Sequence, residues 1–237
     1  MSMVLPMPQL PILLHIPDGF LSTWVATVFY LITIACLAVA IRKTSESYQE
    51  STAPLMGVLA AFIFAAQMMN FPVAGGTSGH MLGGALAAIL VGPWAAMVIM
   101  ACVVGVQALV FQDGGLAVLG ANIFNMGIAT ALVGFAVYKA VTGFGNGKRP
   151  FILVGTFAAA WVSVMVAAFL TSAQLAVSGT SDWGIVLPAM LGVHALIGIG
   201  EGVISAGAVA FVLATRPDLL GITPDFGDST LAGEHVR

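Results

Sequence analysis

Polar residues in this chain are confined to short breaks between long apolar runs. The runs fall at about 21–41, 54–71, 80–91, 93–112, 120–141, 151–177 and 187–214. An apolar helix needs about 20 residues to cross a ~30 Å hydrocarbon core, and most of the runs reach that length. The exception is 80–91, about 18 Å long as a helix at ~1.5 Å per residue. It is closed by Gly92-Pro93, a pair that turns or breaks a chain. Two topologies follow: either 80–91 is a short span or re-entrant piece of its own, or 80–112 is one long kinked helix. Charge separates them. With seven crossings, Arg42, Lys43, Lys139, Lys148, Arg149, Arg216 and Arg237 all face one side; with six, Arg42 and Lys43 oppose the other five. Basic residues collect on the cytoplasmic side. The pattern therefore predicts an all-α, polytopic membrane bundle of seven segments, one of them short, with the N-terminus outside and the C-terminus cytoplasmic.

Composition agrees. Of 237 residues, 59% are hydrophobic and only 7% charged, against about a quarter charged in a soluble domain. The net charge of −3 and the lack of a basic patch exclude a nucleic-acid partner. Cys36 and Cys102 lie inside apolar runs and read as small packing residues rather than a disulfide. Residues 1–13 carry no Lys or Arg, contain three prolines and lack a small-x-small cleavage pattern, so they do not read as a signal peptide. No HExxH, Gly-x-Ser-x-Gly or Walker phosphate loop is present, so neither hydrolase chemistry nor ATP hydrolysis is assigned to this chain. Met68, Met69, Met97 and Met100, inside apolar runs, read as adaptable packing rather than a copper route.

Three polar clusters carry candidate chemistry. The first is His15-Ile16-Pro17-Asp18-Gly19-Phe20-Leu21-Ser22, directly ahead of the first apolar run. With the predicted topology, His15, Asp18, His80, Asp113 and Asp182 lie at or near the outer face, where the loops hold no Lys or Arg. Such a rim concentrates cations. The second cluster runs from Asn70 to His80 through Gly75-Gly76-Thr77-Ser78-Gly79. It reads as an irregular loop folding back toward the membrane, tolerated only where it is buried or lines a cavity. His80 is then either a helix-end cap or, with His15, part of a metal site. In the third cluster, His194 lies ~10 Å below the outer end of its helix and Glu201 two turns deeper on a similar face. Ionisable groups at that depth are functional by default; the alternative is a hydrogen-bonded pair locking the bundle. Asn122, Asn125, Gln67 and Gln107 read as interhelical hydrogen-bond partners, and Gly79-x3-Gly83, Gly84-x3-Ala88 and Gly198-x3-Gly202 as close-packing positions. The residues alone leave rivals open: a structural or channel-like membrane protein with inert histidines and no metal site, or a membrane enzyme using His194 and Glu201.

With HIPDGFLS at 15–22, MNFPVAGGTSGHMLGGALAAILVGPWAA at 69–96, FQDGGLAVLGANIFNMG at 111–127 and HALIGIGEG at 194–202, the chain resembles the CbiM/NikM family over about residues 14–218. The resemblance implies the substrate-capture component of an energy-coupling-factor ABC importer of Co²⁺ or Ni²⁺, in a bacterial or archaeal cell membrane. The ion is transported substrate, and no prosthetic group is implied. Implied partners are a membrane coupling subunit, cytoplasmic ATPases and a small accessory membrane subunit. Carried onto this chain, the ligands are the nitrogens of His15, the imidazole of His80 and the nitrogen of Leu14. That all-nitrogen, near-planar set suits nickel(II). Asp18 would support the N-terminal turn, with Asn70, Asn125, His194 and Glu201 behind the ligands or along the path of the ion. Family chains begin Met-His, whereas Leu14 stands here after thirteen residues. The expectation is that residues 1–13 are an extension outside the functional chain, 14–216 the membrane domain and 217–237 a mobile cytoplasmic tail.

Overall fold

The structure, a computed structural model, describes residues 15–46, 52–73 and 77–220. Each predicted apolar run contains a helix. The helices are α1 (Thr23–Glu46), α2 (Thr52–Gln67), α3 (Gly84–Val91), α4 (Pro93–Val110), the composite α5 (Leu119–Ile123), π-helical turn (Phe124–Ala129) and α6 (Thr130–Phe144), then α7 (Arg149–Val177) and α8 (Trp183–Thr215). Five of these segments are long and apolar enough to cross a membrane: α1, α4, α5–α6, α7 and α8; α2 is apolar but shorter. On α1, Trp24, Leu31 and Ile34 are each at least 60% exposed. Large apolar side chains in that state suit contact with lipid rather than water.

The Gly92-Pro93 ambiguity resolves toward two helices. Gly92 has φ 83° and ψ 159°, which no helix interior accommodates, and Pro93 is the first residue of α4. Its missing N–H costs nothing there, because the first helical N–H groups lack intrahelical acceptors in any case. The eight-residue α3 lies inside the bundle, with Gly84 through Ile89 all buried, against α4, α6 and α7. Small residues permit this depth. Gly84 lies on Thr130 and on the Met126 carbonyl, and a Cβ on Gly134 would stand 2.5 Å from that of Ala85. On the other side of α7, Gly198 lies against Trp161 and Gly202 against Phe157.

The segment after α2 differs from expectation. Instead of an irregular loop, Asn70–Val73 and Thr77–His80 pair as an antiparallel hairpin, β1 and β2, with Asn70 opposite His80. A hairpin satisfies backbone N–H and C=O groups internally, which an irregular loop in an apolar setting does not. Because α2 stops at Gln67, Met68 and Met69 belong to this connection and are exposed, not inside a span. Cys36 and Cys102 are free.

Residues 15–22, the described residues of the α2–α3 connection (68–73 and 77–83) and the connections 111–118 and 178–182 gather at one end of the bundle. Ser22 Oγ donates to Ser178 Oγ at 3.4 Å, Thr180 Oγ1 donates to the Phe20 carbonyl, and Leu116 N donates to Asp18. None of these stretches contains Lys or Arg. Arg42, Lys43, Lys139, Lys148, Arg149 and Arg216 lie on helix ends or connections at the opposite side, and Arg237 is outside the described residues.

Candidate metal centre

The stretch His15–Ser22 has no regular structure of its own and is held by the connection between α4 and α5. Gly115 N donates to the Ile16 carbonyl at 2.9 Å. The Asn122 side chain clamps the Ile16 peptide from both sides, accepting from its N–H at 3.2 Å and donating to its C=O at 3.1 Å. Asp18 reaches across rather than capping its own turn: its carboxylate accepts from Leu116 N at 3.1 Å and Ala117 N at 2.8 Å. Two glycines make this approach possible. Gly114, at φ +92°, leaves space that a Cβ would lose to the His15 side chain, and Gly115 lies directly against Asp18.

His15, though near the chain's surface end, is only 4% exposed. Its Nδ1 lies 3.1 Å from the Asp113 carbonyl. A carbonyl only accepts, so Nδ1 carries the proton and Nε2 a bare lone pair. That Nε2 is buried without a hydrogen-bond partner among the described residues. Burial, with the neighbouring His80 adding to it, lowers the His15 pKa from 6.5 to about 3. The ring is therefore neutral near pH 7, and its 3.5 Å approach to the Asp113 carboxylate is not an ion pair.

His80 ends β2 and is also 4% exposed. Its ring stands edge-on to that of His15, with centroids 4.9 Å apart. Nδ1 lies 2.8 Å from the Met81 carbonyl, which again assigns the proton to Nδ1. His194, on α8, repeats the pattern with Nδ1 2.8 Å from the Met190 carbonyl. All three histidines line one cavity of about 40 Å³, together with Asn122, Asn125, Thr171, Met126 and Met190. Organic-ligand pockets run to about 300–1,000 Å³, so this one suits an ion or a little water. Among the described residues no Asp, Glu, Lys or Arg lines it. The imidazole nitrogens and thioether sulfurs in this lining suit borderline transition metals better than Ca²⁺ or Mg²⁺, which take oxygen.

Among the described residues, no three His, Cys, Asp or Glu converge closely enough to hold a metal. The structure thus brings His15 and His80 together and leaves His194 on the same cavity but outside that pair. Asn125 faces the cavity while its side chain exchanges two hydrogen bonds with Gln174, both 2.7 Å. Glu201 is fully buried and bonded not to His194 but to the backbone N–H groups of Leu82 and Gly83. Leu14 and the side chain of Asn70 lie outside the described residues. Asn122, expected as an interhelical partner, instead holds the Ile16 peptide; the roles of Gly114 and Gly115 show in the sequence only as the Asp-Gly-Gly run at 113–115, a signal for close backbone approach.

Residues 15–219 match the CbiM family, described as the cobalt uptake substrate-specific transmembrane region. The chain is 43% identical over 209 residues to a NikMN protein of Archaeoglobus fulgidus, covering 87% of this chain and 68% of that one. It is 32% identical over 222 residues to the fused nickel transport protein NikMN of Rhodobacter capsulatus, covering 87% and 64% of the two chains. A crystal structure of a truncated transition metal transporter superposes with a TM-score of 0.78 at 32% identity, over 85% of this chain and 99% of that one. On these grounds the chain is a multi-pass membrane protein and belongs to the CbiM family.

Proposed function

We propose that this protein captures Co²⁺ or Ni²⁺ as the substrate-binding component of an energy-coupling-factor importer, with the end bearing His15 and His80 facing outward. The carrying observation is the pair of buried, edge-on imidazoles whose Nδ1 atoms are tied to backbone carbonyls. A metal-ligating histidine characteristically donates its other ring N–H in this way, which fixes tautomer and orientation. Relatives named for nickel transport and a family described by cobalt uptake support the choice of substrate class.

In this reading the side chains of His15 and His80 supply part of the donor set, and backbone nitrogen or water supplies the rest. The backbone nitrogen of Leu14 completes the set in a chain that starts there, and N-terminal mass spectrometry reads that start directly. Asp18 and Asn122 hold the His15 segment; Asn125, His194 and Glu201 lie along or behind the cavity. Residues 14–216 form the working membrane domain. A membrane coupling subunit and cytoplasmic ATPases supply the energy, with a small accessory membrane subunit beside them. The segregation of basic residues to the opposite end supports the orientation.

The test is metal uptake by cells carrying the whole transporter with His80→Ala. Uptake and bound metal are expected to fall together; survival of both overturns the site.

A further inference from the structure

We infer that Glu201 is the positioning residue for His80: from α8, its carboxylate fixes the 80–83 backbone and so sets where the His80 imidazole presents Nε2. The inference rests on His80 being a ligand, and adds a residue that never touches the ion.

Glu201 is 0% exposed, in the interior of a 33-residue helix, yet among the described residues no Lys or Arg forms an ion pair with it. A buried carboxylate without a cation is costly unless its lone pairs are filled. Here they are filled by the backbone: Leu82 N donates to Oε2 at 2.7 Å and Gly83 N to Oε1 at 2.9 Å. These are the two N–H groups immediately before α3, where Gly83 sits at φ +79°. Both oxygens are therefore committed to one short stretch of chain, two and three residues after His80.

Other contacts make that stretch rigid. Gln67 Nε2 donates to the Leu82 carbonyl at 2.7 Å, so the side chains of Gln67 and Glu201 hold both polar groups of Leu82. Met81 supplies the carbonyl that takes the His80 Nδ1 proton. On the other side of His80, Gly79 lies against Ile197, and a Cβ on it would stand 3.2 Å from His194 Cε1. His194, Ile197 and Glu201 are spaced i, i+3, i+7, one face of α8. That face touches the His80 segment at residue 79 and again at 82 and 83. A hydrogen-bonded lock between His194 and Glu201 would need neither contact. The geometry fits a helix whose buried stripe grips the ligand-bearing segment on both sides of its histidine.

Glutamine at 201 would offer one acceptor where two donors converge and turn its amide N–H₂ toward the other. It should therefore loosen the segment without changing volume. The experiment uses the full chain purified in detergent, with Ni²⁺ affinity by calorimetry, the Co²⁺ d–d absorption spectrum, and metal-free thermal melting. Outer-shell partners of a ligating histidine typically contribute about 10- to 100-fold in affinity. Glu201→Gln is expected to weaken Ni²⁺ binding at least about tenfold and to change the Co²⁺ spectrum, while the metal-free melt is kept. In a His80→Ala background it should weaken binding no further. Should Glu201→Gln lose its melting transition, Glu201→Asp, which keeps two acceptors on a shorter arm, takes its place in the same cycle. Wild-type affinity in the Glu201 variant overturns the proposal, as does a loss that simply adds to that of His80→Ala. If His80→Ala itself binds like wild type, it is the ligand assignment that fails.

Discussion

At the scale of single residues, the His15 ring owes its chemistry to where its neighbours put it. The Asp113 carbonyl holds the proton on Nδ1, and burial keeps the ring neutral. A consequence is measurable without metal. In the unfolded chain His15 takes up a proton near pH 6.5, whereas in the folded chain it does so only near 3. Between these values the unfolded state binds more protons, so stability rises with pH. The contribution is complete above about 6.5 and is lost as pH falls toward 3. The metal-free protein is therefore expected to melt at lower temperature as pH is taken from 7 to 4, with a shallower slope in His15→Gln. Parallel slopes would show that the His15 proton does not carry this dependence. The histidines themselves were legible in the sequence, because ionisable residues stand out against apolar runs. Their tautomers were not, since the carbonyls that fix them come from Asp113, Met81 and Met190, and carbonyl direction leaves no trace in residue identity. The role of Asn122 is likewise not legible: its amide looks the same from sequence whether it bonds another helix or the Ile16 peptide.

At the scale of elements, α3 shows how a segment too short to span can still organise the centre. Its eight residues begin directly behind the His80 segment, and its small residues let it sit against α6. A side chain at Gly84 would meet the Met126 carbonyl and Thr130 Cβ, each 3.0 Å from its Cβ. Overpacking of this kind costs about 1–3 kcal/mol. Gly84→Leu is expected to lower the melting temperature and weaken Ni²⁺ binding together. Gly57→Leu, on α2 with nothing within 4 Å of its Cβ position, should change neither; equal effects from the two would contradict this packing account. The Gly-x3-Ala spacing at 84–88 gave the small residues away, and the Gly92-Pro93 pair marked the break. The pairing of 70–73 with 77–80 was hidden, because glycine, serine and threonine serve an irregular loop as readily as a strand pair. The π-helical turn at Phe124–Ala129 was hidden too, as the phase shift from one extra residue leaves no mark in a run that is apolar nearly all round. Such turns recur at functional sites, and this one carries Asn125 and Met126 onto the cavity wall.

At the scale of the whole molecule, the bundle separates charge from chemistry. One end carries no basic residue in its described connections and gathers His15, Asp18, His80 and Asp113; the other carries the arginines and lysines. That division was readable from the chain, since crossing number and charge bias constrain each other. What sequence could not supply was convergence, because His15 and His80 are 65 residues apart and meet only when hairpin and N-terminal segment share an end of the bundle. The central claim is that a divalent transition metal binds there through nitrogen from both histidines. X-ray absorption at the nickel edge, on the purified chain loaded with Ni²⁺, tests it most directly. The expected spectrum shows a nitrogen-dominated shell with imidazole outer-shell scattering that diminishes in His80→Ala. An oxygen-only shell, or a spectrum unchanged by that substitution, would contradict it.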